Sequence, residues 1–234
     1  MKIGIMQPYF FPYIGYFQLI NAVDQFVICD DCRWIKGGWI NRNRILIEGK
    51  PYYITLSKQK DLSLLNINQR QLSSNVEKQK EKIIRQIEAA YKKAPHFNLV
   101  MEVVYECLSC PERNLFEFIV NSLRVCCRYL GIQTPFVLSS QLDNLNELRN
   151  QDRVLQINIE MGASHYINPI GGTELYDKER FAENGLRLSF IKTRNVAYDQ
   201  LGNNEFIPFL SIIDVMMFNS QHEITELLKE YDLY

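Results

Sequence analysis

Residues 2–29 read KIGIMQPYFFPYIGYFQLINAVDQFVIC. Lys2–Met6 is a short apolar run closed by Pro8, the pattern of a buried strand. Ile14–Val23 then carries apolar residues at helical spacing (Ile14, Phe17, Leu19, Ile20), and Gln25–Cys29 is β-rich up to the charged pair Asp30 and Asp31. Strand, loop, helix, strand is a βαβ unit, the start of a parallel sheet. The loop inside it is unusual. Residues 5–17 (IMQPYFFPYIGYF) hold six aromatic residues, two prolines and a glycine in thirteen positions. Proline fixes the backbone at 8 and 12, so the stretch is neither regular helix nor regular strand.

Beyond this unit, Arg44–Ile47 and Pro51–Leu56 flank the turn Glu48-Gly49-Lys50 as a β-hairpin. Residues 75–93, 97–108 and 113–130 repeat a helical period, the last ending at Gly131 as a left-handed cap. Residues 66–130 are therefore expected to form a helical subdomain that covers the sheet or lids a site, with 1–65 and 131–234 as an α/β core. The alternation then resumes with strand Thr134–Ser139, helix Gln151–Met161, strand His165–Asn168, helix Lys178–Asn184 and strand Leu186–Ile191. Helices over Phe209–Phe218 and Glu223–Tyr231 close the chain. The expected fold class is α/β: an open, mostly parallel sheet with a hairpin and a helical insertion. Ligands of such sheets bind at the carboxyl ends of the strands.

The chain has 234 residues, 47% of them hydrophobic, and a formal net charge of −1. That supplies one sizeable core and no global basic field, so neither nucleic acid nor an anionic membrane surface is expected as a partner. No apolar run approaches the roughly 18 residues of a membrane span. The N-terminus enters strand-like sequence directly, so a cytoplasmic location is expected. Cys29/Cys32 and Cys107/Cys110 have C-x-x-C spacing. The pairs lie far apart in sequence without histidine at finger-like spacing, so neither a structural metal nor a disulfide is expected.

Four segments carry candidate chemistry. In the opening loop, Gln7, Tyr9 and Tyr13 would wall a base or sugar ring, with Gly15 allowing close approach; the alternative is that these aromatics plug the core. In DDCRWIKGGWINRNRI (30–45), Lys36, Arg42 and Arg44 would hold phosphate beside Trp39, Asn41 and Asn43. Asp30 and Asp31 there would accept sugar hydroxyls, bind Mg²⁺, or pair with the arginines. NQDR (150–153) places Gln151, Asp152 and Arg153 at a helix start, where anions are held well, or where Asn150 simply caps the helix. YINPIGGTELYDKERF (166–181) ends a strand at Asn168 and follows it with Gly171 and Gly172, whose backbone would meet a phosphate, and with Tyr176. Among the three histidines, His96 is the one to test as a base.

The ordered set QPYFFPYIGYFQLI, WIKGGWINRNRIL, QDRVL, YINPIGGTELYDKERF and LSIIDVMMFNS resembles the WbqC-like family over nearly the whole chain. That family takes its name from a protein encoded in bacterial O-antigen clusters, among genes for surface polysaccharides and modified sugars. This chain departs from many relatives at Met6, where they carry histidine, and at Cys29 and Cys32. The strand, aromatic-proline loop and helix also resemble Rossmann-like nucleotidyltransferase folds, although the paired histidines of those enzymes are absent from the loop. The resemblance implies an enzyme of O-antigen or surface polysaccharide biosynthesis. The reaction expected from it is acyl or aminoacyl transfer to the amino group of a nucleotide-linked deoxyamino sugar. Asp31 or His96 would be the base, and Asp30, Asp31 and Asn168 would orient sugar hydroxyls. The donor would be carried by CoA or by an acyl-carrier protein, and a homodimer is expected. The alternatives are an ATP- and Mg²⁺-dependent nucleotidyltransferase or ligase, and a non-catalytic sugar-nucleotide binding protein.

Overall fold

The computed structural model describes every residue of the chain except 63, 144, 146, 195 and 201–204. Its first strand, β1 (Lys2–Met6), leads through the aromatic loop into α1 (Ile14–Ala22) and then β2 (Gln25–Ile28). A long excursion follows, with the hairpin β3 (Arg42–Ile47) and β4 (Lys50–Thr55) and the helices α2 (Val76–Tyr91), α3 (Phe97–Ser109) and α4 (Leu115–Tyr129). The chain returns to the sheet at β5 (Phe136–Leu138) and continues through α5 (Asn150–Glu160), β6 (His165–Pro169), α6 (Lys178–Glu183) and β7 (Arg187–Thr193). It ends with α7 (Ile212–Phe218), α8 (Gln221–Leu227) and β8 (Tyr231–Leu233).

Among the described residues the six-stranded sheet has the order β5-β2-β1-β6-β7-β8. The first five strands run parallel, with registers such as Ile3↔Gln25 and Ile167↔Ser189, and β8 lies antiparallel on β7. The chain leaves β1 toward β2 on one side and later returns to β6 on the other. That reversal is the switch point where doubly wound sheets open a crevice at their carboxyl ends. The loops after β1 and β6 flank it.

Side-chain alternation along the strands divides the core. Ile3, Ile5, Val27, Cys29, Tyr166 and Phe190 share one buried cluster with Leu155 and Ile157 of α5. Phe26, Ile28, Ile167 and Ile191 face the other cluster, which also holds α1, the hairpin and α2 to α4. α1 packs on that face of the sheet, and the helical insertion shares the same core through the hairpin and α7. Its helices form because each carries one apolar stripe, such as Val76, Ile83, Ile87 and Tyr91 on α2. α4 is capped by the Asn114 side chain, which accepts from Phe116 N at 2.9 Å and Glu117 N at 3.2 Å. In the hairpin, Glu48 and Gly49 both take positive φ (49° and 72°), as a two-residue turn between twisted strands requires.

Two expectations change at the C-terminus. The helix expected over Glu223–Tyr231 ends at Leu227 and gives way to β8. The buried Gln18 amide donates to Leu227 O at 2.8 Å and Glu230 O at 3.0 Å, drawing the chain off its helix and onto the sheet edge. Likewise α7 starts at Ile212 rather than Phe209, where Ser211 Oγ caps Ile213 N. No helix among the described residues is long and apolar enough to cross a membrane.

Candidate functional site

The aromatic loop and the tryptophan-arginine segment are stitched together. Phe10 N donates to Trp39 O (3.3 Å) and Ile40 O (3.1 Å), and the Asn43 side chain returns a bond to Phe10 O (3.2 Å). A third segment joins them through Ser211 N to Arg44 O and Ile212 N to Pro12 O, both 2.8 Å. Between the three lies a pocket of about 390 Å³ lined by Tyr9, Pro12, Tyr13, Trp39, Asn43, Arg44 and Phe209.

The loop's aromatics divide their work. Phe10 and Phe11 are fully buried and plug the core, each worth about 1.5–3 kcal/mol of burial. Tyr9 and Tyr13 are half-buried and wall the pocket. Burial raises both tyrosine hydroxyls, so each remains a neutral donor at physiological pH. Gly15 is required by its neighbour: a Cβ there would stand 2.3 Å from the Tyr13 hydroxyl. Its close approach is therefore to Tyr13. The side chain of Gln7 is half-buried, and its carbonyl accepts from Tyr16 Oη at 2.9 Å.

Arg44 is the pocket's charge. Its guanidinium carbon lies 5.4 Å from the Trp39 ring centroid, Nη2 donates to Phe209 O at 3.0 Å, and the buried Nε has no partner among the described residues. Arg42 is committed elsewhere, with Nε on Gly38 O (3.1 Å), Nη2 on Gly37 O and the guanidinium over Tyr53. It shapes the loop. Asn41 donates to Leu56 O and Asn43 to Phe10 O, so both asparagines brace the backbone, while Lys36 is exposed.

A second cluster forms at the carboxyl ends of β2 and β5. Asp30 is 2% exposed and accepts from Asn68 Nδ2 (2.8 Å), Ser139 Oγ (3.2 Å) and Ser140 N (2.9 Å). Both of its oxygens are thus engaged by protein donors, which tie the turn after β2 to the segments around Asn68 and Ser139. Asp31 takes Arg153 Nη2 at 2.6 Å and the Ser139 hydroxyl. Of the alternatives read from the sequence, pairing with arginine is the one seen, and the partner comes from α5 instead of the nearby Arg33, Arg42 or Arg44.

The last two segments meet each other. Gln151 Oε1 accepts from Asp177 N at 2.8 Å, and Asp152 pairs with Arg180 at the surface. Asn150 is the first helical residue, at φ 49°, and does not cap α5. Asn168 is buried: Oδ1 accepts from Tyr166 Oη (2.8 Å), Nδ2 donates to Pro169 O (2.9 Å), and its amide fills the place a Gly172 side chain would need. It locks a turn. Gly171 faces open space, and Tyr176 is half-buried edge-on to Tyr166. His96 lies apart from both clusters, in a groove with Glu102, Arg128 and Gln221 between α3, α4 and α8.

Two contributors escape sequence reasoning. Phe209, at φ 58° and 65% exposed, lines the pocket edge-on to Tyr13. Asp214, fully buried, accepts from Tyr91 Oη (2.8 Å), Tyr198 Oη (2.7 Å) and Gln200 Nε2 (2.8 Å), holding Tyr198 and Gln200 onto α7. Burial raises its carboxyl, against the pull of those three donors. The acid inside the apolar IIDVMM run was the available signal for Asp214; Phe209 has none in its own neighbourhood.

The profile of the WbqC-like protein family matches residues 7–226. The chain belongs to the WbqC-like protein family. The match begins at the aromatic loop and takes in every residue that lines the pocket. The chain is also 28% identical over 232 residues to the uncharacterized protein Rv1507c of Mycobacterium tuberculosis, covering 97% of each. This WbqC-like chain has no significant match among solved structures.

Proposed function

We propose that this protein is a transferase of bacterial surface glycan biosynthesis that moves an acyl or aminoacyl group onto the amino group of a nucleotide-linked deoxyamino sugar. The observation that carries this reading is the pocket itself. Aromatic faces of Tyr9, Tyr13 and Trp39 suit a sugar or base ring, and Arg44 offers a partly unpaired guanidinium for a phosphate. The ring of Trp39 holds that guanidinium in place.

Transfer to an amine needs a base to keep it neutral. The neutral tyrosines of the pocket do not serve, and Asp31 of the second cluster, paired with Arg153, is the base in this proposal. The full engagement of Asp30 and Asp31 by protein donors favours a second reading, sugar-nucleotide binding without turnover.

Binding and turnover separate the readings. Titration with UDP- and dTDP-linked amino sugars, followed by mass spectrometry of the sugar after incubation with acyl-CoA donors, should give a micromolar-range complex and an N-acylated product. Binding without product supports the second reading. A response only to ATP with Mg²⁺ would replace both with a nucleotidyl transfer or ligase activity.

A further inference from the structure

Cys29 and Cys32 close the turn that carries Asp30 and Asp31. Cys29 follows β2 and is buried, its N–H bonded to Met6 O at 2.8 Å; Cys32 is half-buried, its carbonyl accepting from Ile67 N at 3.0 Å. Both ends of the turn are thus fixed to neighbouring segments, and the two side chains meet one buried cluster, Cys29 within it and Cys32 packed against it. The other C-x-x-C pair is not arranged this way. Cys107 meets Cys126 across α3 and α4 inside the core, and Cys110 is half-buried at the edge of that core.

We propose that Cys29 and Cys32 form a redox-active dithiol, with Cys32 as the thiol that meets small peroxides and Cys29 as the one that resolves it. The surroundings divide the roles. Cys29 is buried and Cys32 half-buried, so Cys32 is the sulfur a small peroxide reaches first; the neighbouring Cys29 thiol lowers Cys32 against the burial that raises it, while Cys29 is itself raised. Asp31 and Asp30 oppose thiolate formation at Cys32, while Arg153 favours it. Asp31 is already paired with Arg153, and Asp30 is engaged by three donors, which blunts the opposition. The buried Nε of Arg153 has no partner among the described residues.

The chemistry balances with hydrogen peroxide as oxidant. The Cys32 thiolate attacks one peroxide oxygen, the O–O bond breaks, and the departing hydroxide takes up a proton to leave as water. The Cys29 sulfur then attacks the Cys32 sulfenic acid, the S–S bond forms, and a second water leaves with the Cys29 proton. Two thiols are oxidised and one peroxide is reduced to two waters. A dithiol reductant reverses the outcome.

The test uses the full chain and reads thiols, so it stands apart from the sugar-nucleotide reading. The reduced protein is treated with hydrogen peroxide, alkylated and digested with trypsin. Residues 3–33 should appear as one peptide, unalkylated and lighter by two hydrogens, and dithiothreitol should restore two alkylation sites. In Cys29→Ser, Cys32 should persist as sulfenic acid that dimedone traps. In Cys32→Ser, Cys29 should remain an unmodified thiol. Peroxide treatment that leaves Cys29 and Cys32 as alkylatable as Cys107 and Cys126, or that oxidises Cys110 first, overturns the proposal.

Discussion

The carbonyl of Phe209 accepts a hydrogen bond from Arg44 Nη2 at 3.0 Å, although the two residues lie 165 positions apart. The contact fixes the pocket's charged group to its most exposed wall. Phe209 holds this place at φ 58°, a conformation that costs a non-glycine residue about 1 kcal/mol or more. Replacing Phe209 with glycine relieves that strain but frees the unfolded chain, so stability should stay within about 1 kcal/mol of the parent. Affinity for a sugar nucleotide should fall, because the ring that meets Tyr13 edge-on is gone. Urea unfolding and titration of the same variant check both; unchanged affinity would remove Phe209 from the wall.

Asp30 and His96 are expected to behave differently from their sequence roles. Asp30→Ala strips three donors of their acceptor in a buried site and should cost about 3 kcal/mol in urea unfolding. The folded fraction should still bind ligand. A variant of full stability that lost turnover would restore Asp30 to the substrate site. His96→Ala should leave turnover unchanged, since its groove lies elsewhere.

Asp214 gives stability a defined pH dependence. Its folded-state carboxyl is raised by burial, so the native state binds the proton more tightly than the unfolded chain. The contribution is fully present below the ordinary carboxylate value near pH 4 and is lost as pH rises through the raised one. The stability difference between the parent and Asp214→Asn should therefore shift against the parent as pH increases from about 4. A flat difference across that range would mean that the three donors fully offset burial.

The parallel sheet was legible in the sequence because buried strands read as apolar runs and the helices between them keep their period. The Glu48-Gly49 turn was legible for a similarly local reason. β8 was not, since three residues carry no period and its pairing depends on Gln18, more than 200 positions away. The two segments chosen for chemistry do converge: Tyr9 and Tyr13 meet Trp39 and Arg44 around one pocket. Composition could not separate Phe10 and Phe11 from Tyr9 and Tyr13, because which ring turns inward is set by the Trp39 and Ile40 carbonyls that hold the loop. Nor could it show Arg42 spent on the carbonyls of Gly37 and Gly38, or Asp31 paired across the sheet edge with Arg153.

Calorimetric titration of the parent protein and Arg44→Ala with UDP- and dTDP-linked amino sugars tests the phosphate-holding pocket most directly. The parent should bind, and the loss of a charge-assisted contact should weaken binding by about 2 kcal/mol, roughly thirtyfold in Kd, with the thermal midpoint retained. Equal affinity in a folded Arg44→Ala, or no binding of any phosphorylated sugar by the parent, would contradict it.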